Sequence, residues 1–184
     1  QILDLKRDVA ALARRKAFGS EELDRILASL EERTTEFFGL FGNSEGRSGF
    51  REQDAFVEEH GDEYGDLVRT LNLLGAHLEM VKNAPEEVIP LRRRAEELGG
   101  ALKFWMAGGN RSFVYWVEKR GRGCYLQATP IDVSTLLAER LFDRVDAIIL
   151  TSATLAVAGD FEFTRVRLGI QNARTLIVSG QFDY

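Results

Sequence analysis

Ala147-Ile148-Ile149-Leu150-Thr151-Ser152-Ala153-Thr154-Leu155 is the stretch on which the reading of this chain turns. Its apolar opening is too short for a helix and fits a strand of a parallel sheet, buried on both faces. The run ends in small hydroxyl residues. In open α/β sheets the carboxyl edge of the strands is where ligands bind. Thr151, Ser152 and Thr154 would place donors and acceptors at that edge without bulk, and Ala153 would let backbone approach closely. A plain strand followed by a Ser/Thr helix cap explains the same residues on spacing alone.

The flanks of this stretch also carry β and turn signals. Ser112–Glu118 is β-branched and aromatic and predicts a strand. Lys119-Arg120-Gly121-Arg122-Gly123 reads as a turn, Cys124–Thr129 as the returning strand, and Pro130 as its stop. Asp132 or Ser134 can cap a short helix reaching Phe142. Thr175–Val178 predicts one more strand.

The first 108 residues follow a different period. Helices are predicted over 1–17, 20–42, 62–83 and 86–106, with apolar stripes such as Leu67, Leu71, Leu74, Leu78 and Val81. Ser20 is a good N-cap, with Glu21, Glu22 and Asp24 in the first turn. Gly42–Gly49 is rich in Gly and Ser and reads as a loop. Residues 50–60 stay ambiguous. Arg92-Arg93-Arg94, beside acids at 86, 87, 96 and 97, reads as an ion-paired, solvated helix face. The resulting fold class is α+β, mostly α. Residues 1–109 form an antiparallel helical bundle. Residues 110–184 form a β-hairpin and part of an α/β domain.

Of the 184 residues, 45% are hydrophobic and 29% charged, which is ordinary globular composition. The net charge of −5 does not signal a strongly basic nucleic-acid-binding domain. The acidity lies in residues 1–109, with 15 Lys/Arg against 21 Asp/Glu; residues 110–184 hold 9 against 8. Cys124 is the only cysteine, so neither a disulfide framework nor a cysteine-based metal cluster can form within the chain. A reducing, cytoplasmic setting is the simplest expectation. No run approaches the ~18 apolar residues of a membrane span. His60 and His77 are too sparse for a metal site or a catalytic relay, and no metal ligands are assigned.

Ile148-Ile149-Leu150-Thr151-Ser152-Ala153-Thr154-Leu155 resembles motif III of superfamily 2 helicases. Ala128–Ser134 with Leu136, Leu137 and Leu141-Phe142 resembles the segment leading into that motif in the DinG/XPD branch. Phe161-Glu162-Phe163 and Arg167-Leu168-Gly169-Ile170 are similar to its F-x-F and R-L-G-L stretch. Ser179-Gly180-Gln181-Phe182-Asp183-Tyr184 resembles its S-P-F-D-Y, with Gly-Gln in place of Pro. The resemblance covers about residues 112–184. Over residues 1–108 it is architectural: the family inserts a largely helical Arch domain between motifs II and III.

The resemblance implies an internal piece of an ATP-dependent 5′-to-3′ DNA helicase used in repair or replication, acting on single-stranded or forked DNA. Residues 1–109 would be the Arch domain and 110–184 part of a RecA-like motor domain. Thr151, Ser152, Ala153 and Thr154 would help couple the ATP site to movement along the strand. The parent would use ATP and Mg²⁺; an iron–sulfur cluster, which many relatives carry, would lie outside this chain. The opening Gln-Ile-Leu, without a Met and already in a helical pattern, fits an internal piece.

Two parts of a motor are missing from the sequence. A P-loop needs Gly-x-x-x-x-Gly-Lys-Ser/Thr, and the chain has no Gly-Lys pair. The nearest look-alike, Gly42-Asn43-Ser44-Glu45-Gly46-Arg47-Ser48, is one residue short, has Arg for Lys and follows a helix. Asp62-Glu63-Tyr64-Gly65 lacks the His of Asp-Glu-x-His. Without these groups nothing holds Mg²⁺ and the terminal phosphates. Lys119, Arg120 and Arg122, near Tyr115, Trp116 and Tyr125, are candidate contacts for single-stranded DNA; the alternative is a solvated turn over ordinary core aromatics. The competing function for the whole chain is a helical module that docks protein partners without catalysis. The isolated chain is expected to show no ATP hydrolysis even with single-stranded DNA, and turnover by the pure chain in a phosphate-release assay would contradict this.

Overall fold

A computed structural model describes residues 1–42 and 45–178. Two compact units divide the chain, residues 1–129 and 130–184.

In the first unit α1 (Ile2–Lys16) buries Leu5, Val9 and Leu12 and ends where Ala17 turns left-handed at φ 55°. Arg14, Arg15 and Lys16 fill its last turn, where the helix dipole favours cations. Ser20 Oγ accepts a hydrogen bond from Leu23 N at 3.1 Å and so starts α2 (Glu21–Gly39). The short link over residues 17–20 suits a helical hairpin, and α1 and α2 pack together. α3 (Gln53–Glu79) and α4 (Val88–Ala107) form a second pair. α3 packs on α2, and α4 packs on α1 and α3. Pro90 sits in the first turn of α4, where its missing N–H costs no helical bond.

α3 begins nine residues before its predicted start. Its backbone leaves helical geometry at His60 (φ −125°, ψ 29°), just before Gly61. Glu58, Glu59, Gly61, Asp62 and Glu63 dilute the apolar pattern around that kink. Phe56 and Val57 nevertheless pack against the core, Phe56 within an aromatic cluster at one end of the bundle. Phe41 stacks on Phe56 at 4.8 Å, and Phe37 meets Phe38 and Phe41 edge-on at 5.2 and 5.3 Å. The His60 ring lies 4.9 Å from that of Phe56.

The predicted hairpin is present as β2 (Phe113–Arg120) and β3 (Gly123–Pro130), joined by Gly121-Arg122 with Gly121 at φ 54°. A two-residue turn with positive φ matches the twist of paired strands. The glycine-rich stretch predicted as loop supplies a third strand, β1 (Gly46–Gly49), antiparallel to β2 with Arg47 opposite Glu118. The sheet order is β1-β2-β3. Glycines hide such a strand from propensity, because their pairing here comes from β2 rather than from their own side chains.

This sheet packs with the helices. Trp105 Nε1 on α4 donates to Gln127 O at 2.9 Å, and Tyr115, Val117, Leu126 and Ala128 join the helical core. The change of period at 109/110 therefore marks a change of secondary structure, while the compact unit runs on to Thr129.

The second unit contains α5 (Ser134–Arg140), a 3₁₀ turn over Phe142–Arg144, and α6 (Glu162–Leu168). The N-cap of α5 is Val133, between the two expected candidates, and makes no side-chain cap; Asp132 Oδ1 accepts from Ser134 N at 2.8 Å one residue earlier. Gly169, at φ 74°, lies against the Ser134 carbonyl so closely that a Cβ would collide with it. Val157 and Asp160 pair across a tight turn through Ala158 and Gly159.

The strands predicted at 146–150 and 175–178 are not formed. Neither segment joins a ladder, and both are exposed. A strand needs neighbours for its N–H and C=O groups and a surface for its side chains, and residues 130–178 provide neither. No described residue in that range is buried.

Phe37 is fully buried in the first unit. Phe37→Ala should cost about 3–5 kcal/mol of that unit's stability, read as a lowered denaturation midpoint with an unchanged slope.

Candidate functional site

Thr151–Thr154 follow the apolar run as an exposed bend. Ser152 Oγ lies 3.0 Å from Thr154 Oγ1 and accepts from Thr154 N at 3.2 Å. This local Ser/Thr turn keeps the hydroxyls together on the surface. Thr164 Oγ1 on α6 donates to Leu155 O at 2.7 Å and ties the end of the bend to that helix. The run before it offers apolar surface to solvent: Ile149 is 88% exposed. Leu176 is 81% exposed in the segment at 175–178.

Two hydroxyls that bond each other do not make a triphosphate–Mg²⁺ site, which needs wrapped backbone N–H groups, a lysine and carboxylates. Among the described residues no group of three or more His, Cys, Asp or Glu could hold a metal ion. No described helix is long and apolar enough to cross a membrane. The P-loop look-alike includes Asn43 and Ser44, and the S-P-F-D-Y-like end is Ser179–Tyr184; both fall outside the described residues.

The three basic residues of the hairpin do not share one face. Strand alternation puts Lys119 with Tyr115 and Val117 on the side facing the helices, at the edge beside Cys124. Arg120 lies on the opposite face and Arg122 in the exposed turn. Sequence reasoning missed Arg47 and Glu118. Glu118 is buried, with its carboxylate between two guanidinium groups. Arg47 Nε donates to its Oε1 at 2.9 Å, and Arg120 donates from Nε at 2.8 Å and Nη2 at 2.7 Å. Hydrogen bonds from Arg47, then from Arg120, hold this carboxyl below its ordinary range against the opposing effect of burial. Arg47 also lies over the Trp116 ring, 4.7 Å from its centroid. No signal for these contacts was available, because the glycine-flanked arginine reads as loop until β1 is seen.

Other candidates settle into structural roles. Burial raises the Cys124 thiol, with Lys119 opposing, so the thiolate is disfavoured. Arg93 pairs with Glu97 at 2.8 Å, Arg92 with Glu79 at 2.8 Å and Arg94 with Asp8 at 2.9 Å. His77 and His60 are both partly buried within the helical unit.

Known proteins place the chain. Along its whole length it is 27% identical to the ATP-dependent DNA helicase YoaA of Haemophilus influenzae and 27% identical to the YoaA of Escherichia coli. The chain is similar to these ATP-dependent DNA helicases over its full length. A third match, the 3'-5' exonuclease DinG of Bacillus subtilis, is 34% identical over 83 residues, covering 42% of this chain and 9% of that protein. Each YoaA match covers 29% of the relative, so the chain spans less than a third of the length of these helicases. No protein-family model and no solved structure matches it. The similarity to the DinG-type relatives includes residues 1–108, where the sequence motifs offered only an architectural likeness.

A carboxyl held low in the folded state stabilises that state above its unfolded pKa and stops doing so as pH falls through the lowered value. Glu118→Gln should therefore lower the melting temperature of the first unit near pH 7. The gap to wild type should close as pH drops below about 4, the ordinary glutamate range. Melting curves from pH 3 to 7 test this, and a gap independent of pH would contradict it.

Proposed function

We propose that this chain is part of an ATP-dependent DNA helicase that moves 5′ to 3′ along single-stranded DNA in repair or replication, in the cytoplasm. The supporting observation is similarity over all 184 residues to two proteins named ATP-dependent DNA helicases. In this reading the helical unit is the Arch-like domain. It includes the three-stranded sheet and ends near Thr129, because Trp105 and the sheet share one core. Residues beyond Pro130 belong to a RecA-like motor domain. ATP and Mg²⁺ are held by parts of the parent outside this chain, which has neither a Gly-Lys P-loop nor Asp-Glu-x-His.

The strand that this assignment expects at Ala147–Leu150 is not formed here, so the assignment rests on the similarity to the helicases and not on this segment. Ile148 and Leu150, like Ile149, are more than a third exposed, and their backbone joins no ladder. About 25 cal/mol is gained per Å² of apolar surface buried, so covering either segment in the parent would be favourable. Seated between motor strands, Ala147–Leu150 would carry Ser152 and Thr154 at the carboxyl edge, where ligands of such sheets bind. The Ser/Thr turn there makes a compact unit whose hydroxyls can exchange partners. That is the property needed to couple nucleotide state to DNA movement. It provides no phosphate cradle, so this reading keeps the chain alone inactive.

In the full-length protein, Ser152→Ala should reduce DNA unwinding about tenfold while leaving ATP affinity within about twofold, as expected for loss of one polar contact made during coupling. Strand-displacement and nucleotide-binding assays on the same preparation test it. Equal loss of both would remove the coupling role.

A further inference from the structure

The hairpin has a face that the helical core does not use. Phe113, Tyr115 and Val117 of β2, with Cys124, Leu126 and Ala128 of β3, pack against the helices. Alternation sends Val114, Trp116, Glu118 and Arg120, with Tyr125, Gln127 and Thr129, to the other side. Three observations fix that side. Trp116 Nε1 donates to Thr129 Oγ1 at 3.0 Å, Arg47 of β1 meets Glu118, and Tyr125 is 42% exposed.

Its chemistry is unusual for an acidic chain. The cations are Arg47, Arg120 and Arg122. The acids are Glu118, enclosed between two of them, and Glu45, whose Oε1 accepts from Gly121 N at 3.1 Å. The side chains of Arg47 and Arg120 remain 63% and 65% exposed although both bond to Glu118. Glu118 thus fixes the arginines in place without covering them. Among the described residues Arg122 engages no carboxylate. The Arg47 guanidinium lies 4.7 Å from the Trp116 ring centroid while its side chain stays largely exposed. Gly123 gives the Tyr125 ring room to fold toward the turn, since a Cβ there would lie 2.7 Å from the ring. Gly49, paired with Trp116, keeps the β1 edge low.

We propose that this face is a stacking platform for single-stranded DNA, with bases on Tyr125 and the Arg47 plane and phosphates on Arg120 and Arg122. It rests on the helicase reading and adds the surface that grips the strand. Bases stack on aromatic rings and on guanidinium planes alike. The positive excess matches a polyanion, whereas an acidic chain otherwise repels one. Lys119, turned to the opposite side, takes no part.

The test is binding of labelled dT20 to the full-length protein by fluorescence anisotropy. Tyr125→Ala should weaken binding about tenfold, and Tyr125→Phe should restore it. Arg47→Lys keeps the charge but loses the plane and should weaken binding to a similar degree. Arg122→Ala should reduce the slope of log affinity against log salt by about 0.7, one phosphate on a single strand. Photo-cross-linking of a 5-iodouracil oligonucleotide should label Tyr125. Wild-type affinity in Tyr125→Ala and Arg47→Lys, or a cross-link elsewhere only, would overturn the platform. DNA-stimulated ATP hydrolysis by the wild type is measured separately. If it is present while dT20 affinity ignores Tyr125, the platform fails and the helicase reading stands; if it is absent, the helicase reading fails whatever Tyr125 does.

Discussion

A strand cannot satisfy its own backbone. Each N–H and C=O needs a partner on a neighbouring chain segment or in water, and Ala147–Leu150 has no ladder among the described residues. The same constraint separates the two compact units. In residues 1–129 every long apolar stripe finds a partner: α1 and α2 close on each other, α3 and α4 do likewise, and the sheet covers the aromatic end through Trp105. In residues 130–178 short helices and turns carry local hydrogen bonds at Asp132 and Asp160, no side chain is fully buried, and apolar residues such as Ile149 and Leu176 are exposed.

That asymmetry matches the division of labour proposed here. A helical unit with its own core can keep its shape while a motor cycles. The Glu118 bridge ties β1 to the hairpin through Arg47 and Arg120, with Arg47 over the Trp116 ring. The hydroxyl bend at Thr151–Thr154 is the opposite kind of element. Its hydrogen bonds are short-range and exposed, and it can exchange them at small cost. Rigid grip and adjustable relay are both needed if nucleotide chemistry is to move a strand of DNA.

The sequence disclosed what periodicity can carry. α1, α2, α4 and the hairpin follow from stripes, caps and a glycine turn, and the motif at Ile148–Leu155 pointed to the helicases later found as relatives. The failures share a cause. The first turns of α3 are obscured because Glu58, Glu59, Gly61, Asp62 and Glu63 dilute the apolar stripe there. β1 was invisible because Gly46-Arg47-Ser48-Gly49 has no strand propensity of its own and pairs only because β2 is there. The same holds for Arg47 and Glu118, 71 residues apart and joined only by that pairing. For 146–150 and 175–178, strand propensity is present and the neighbours are not, so local preference alone leaves them unpaired.

Amide hydrogen exchange on the full-length protein, read at Ala147, Ile148, Ile149 and Leu150, bears most directly on the account. It predicts slow exchange at all four, as for a strand bonded on both sides inside a motor sheet. Exchange as fast as in an unfolded peptide would mean that this run never enters a sheet, and the coupling role of Ser152 and Thr154 would go with it.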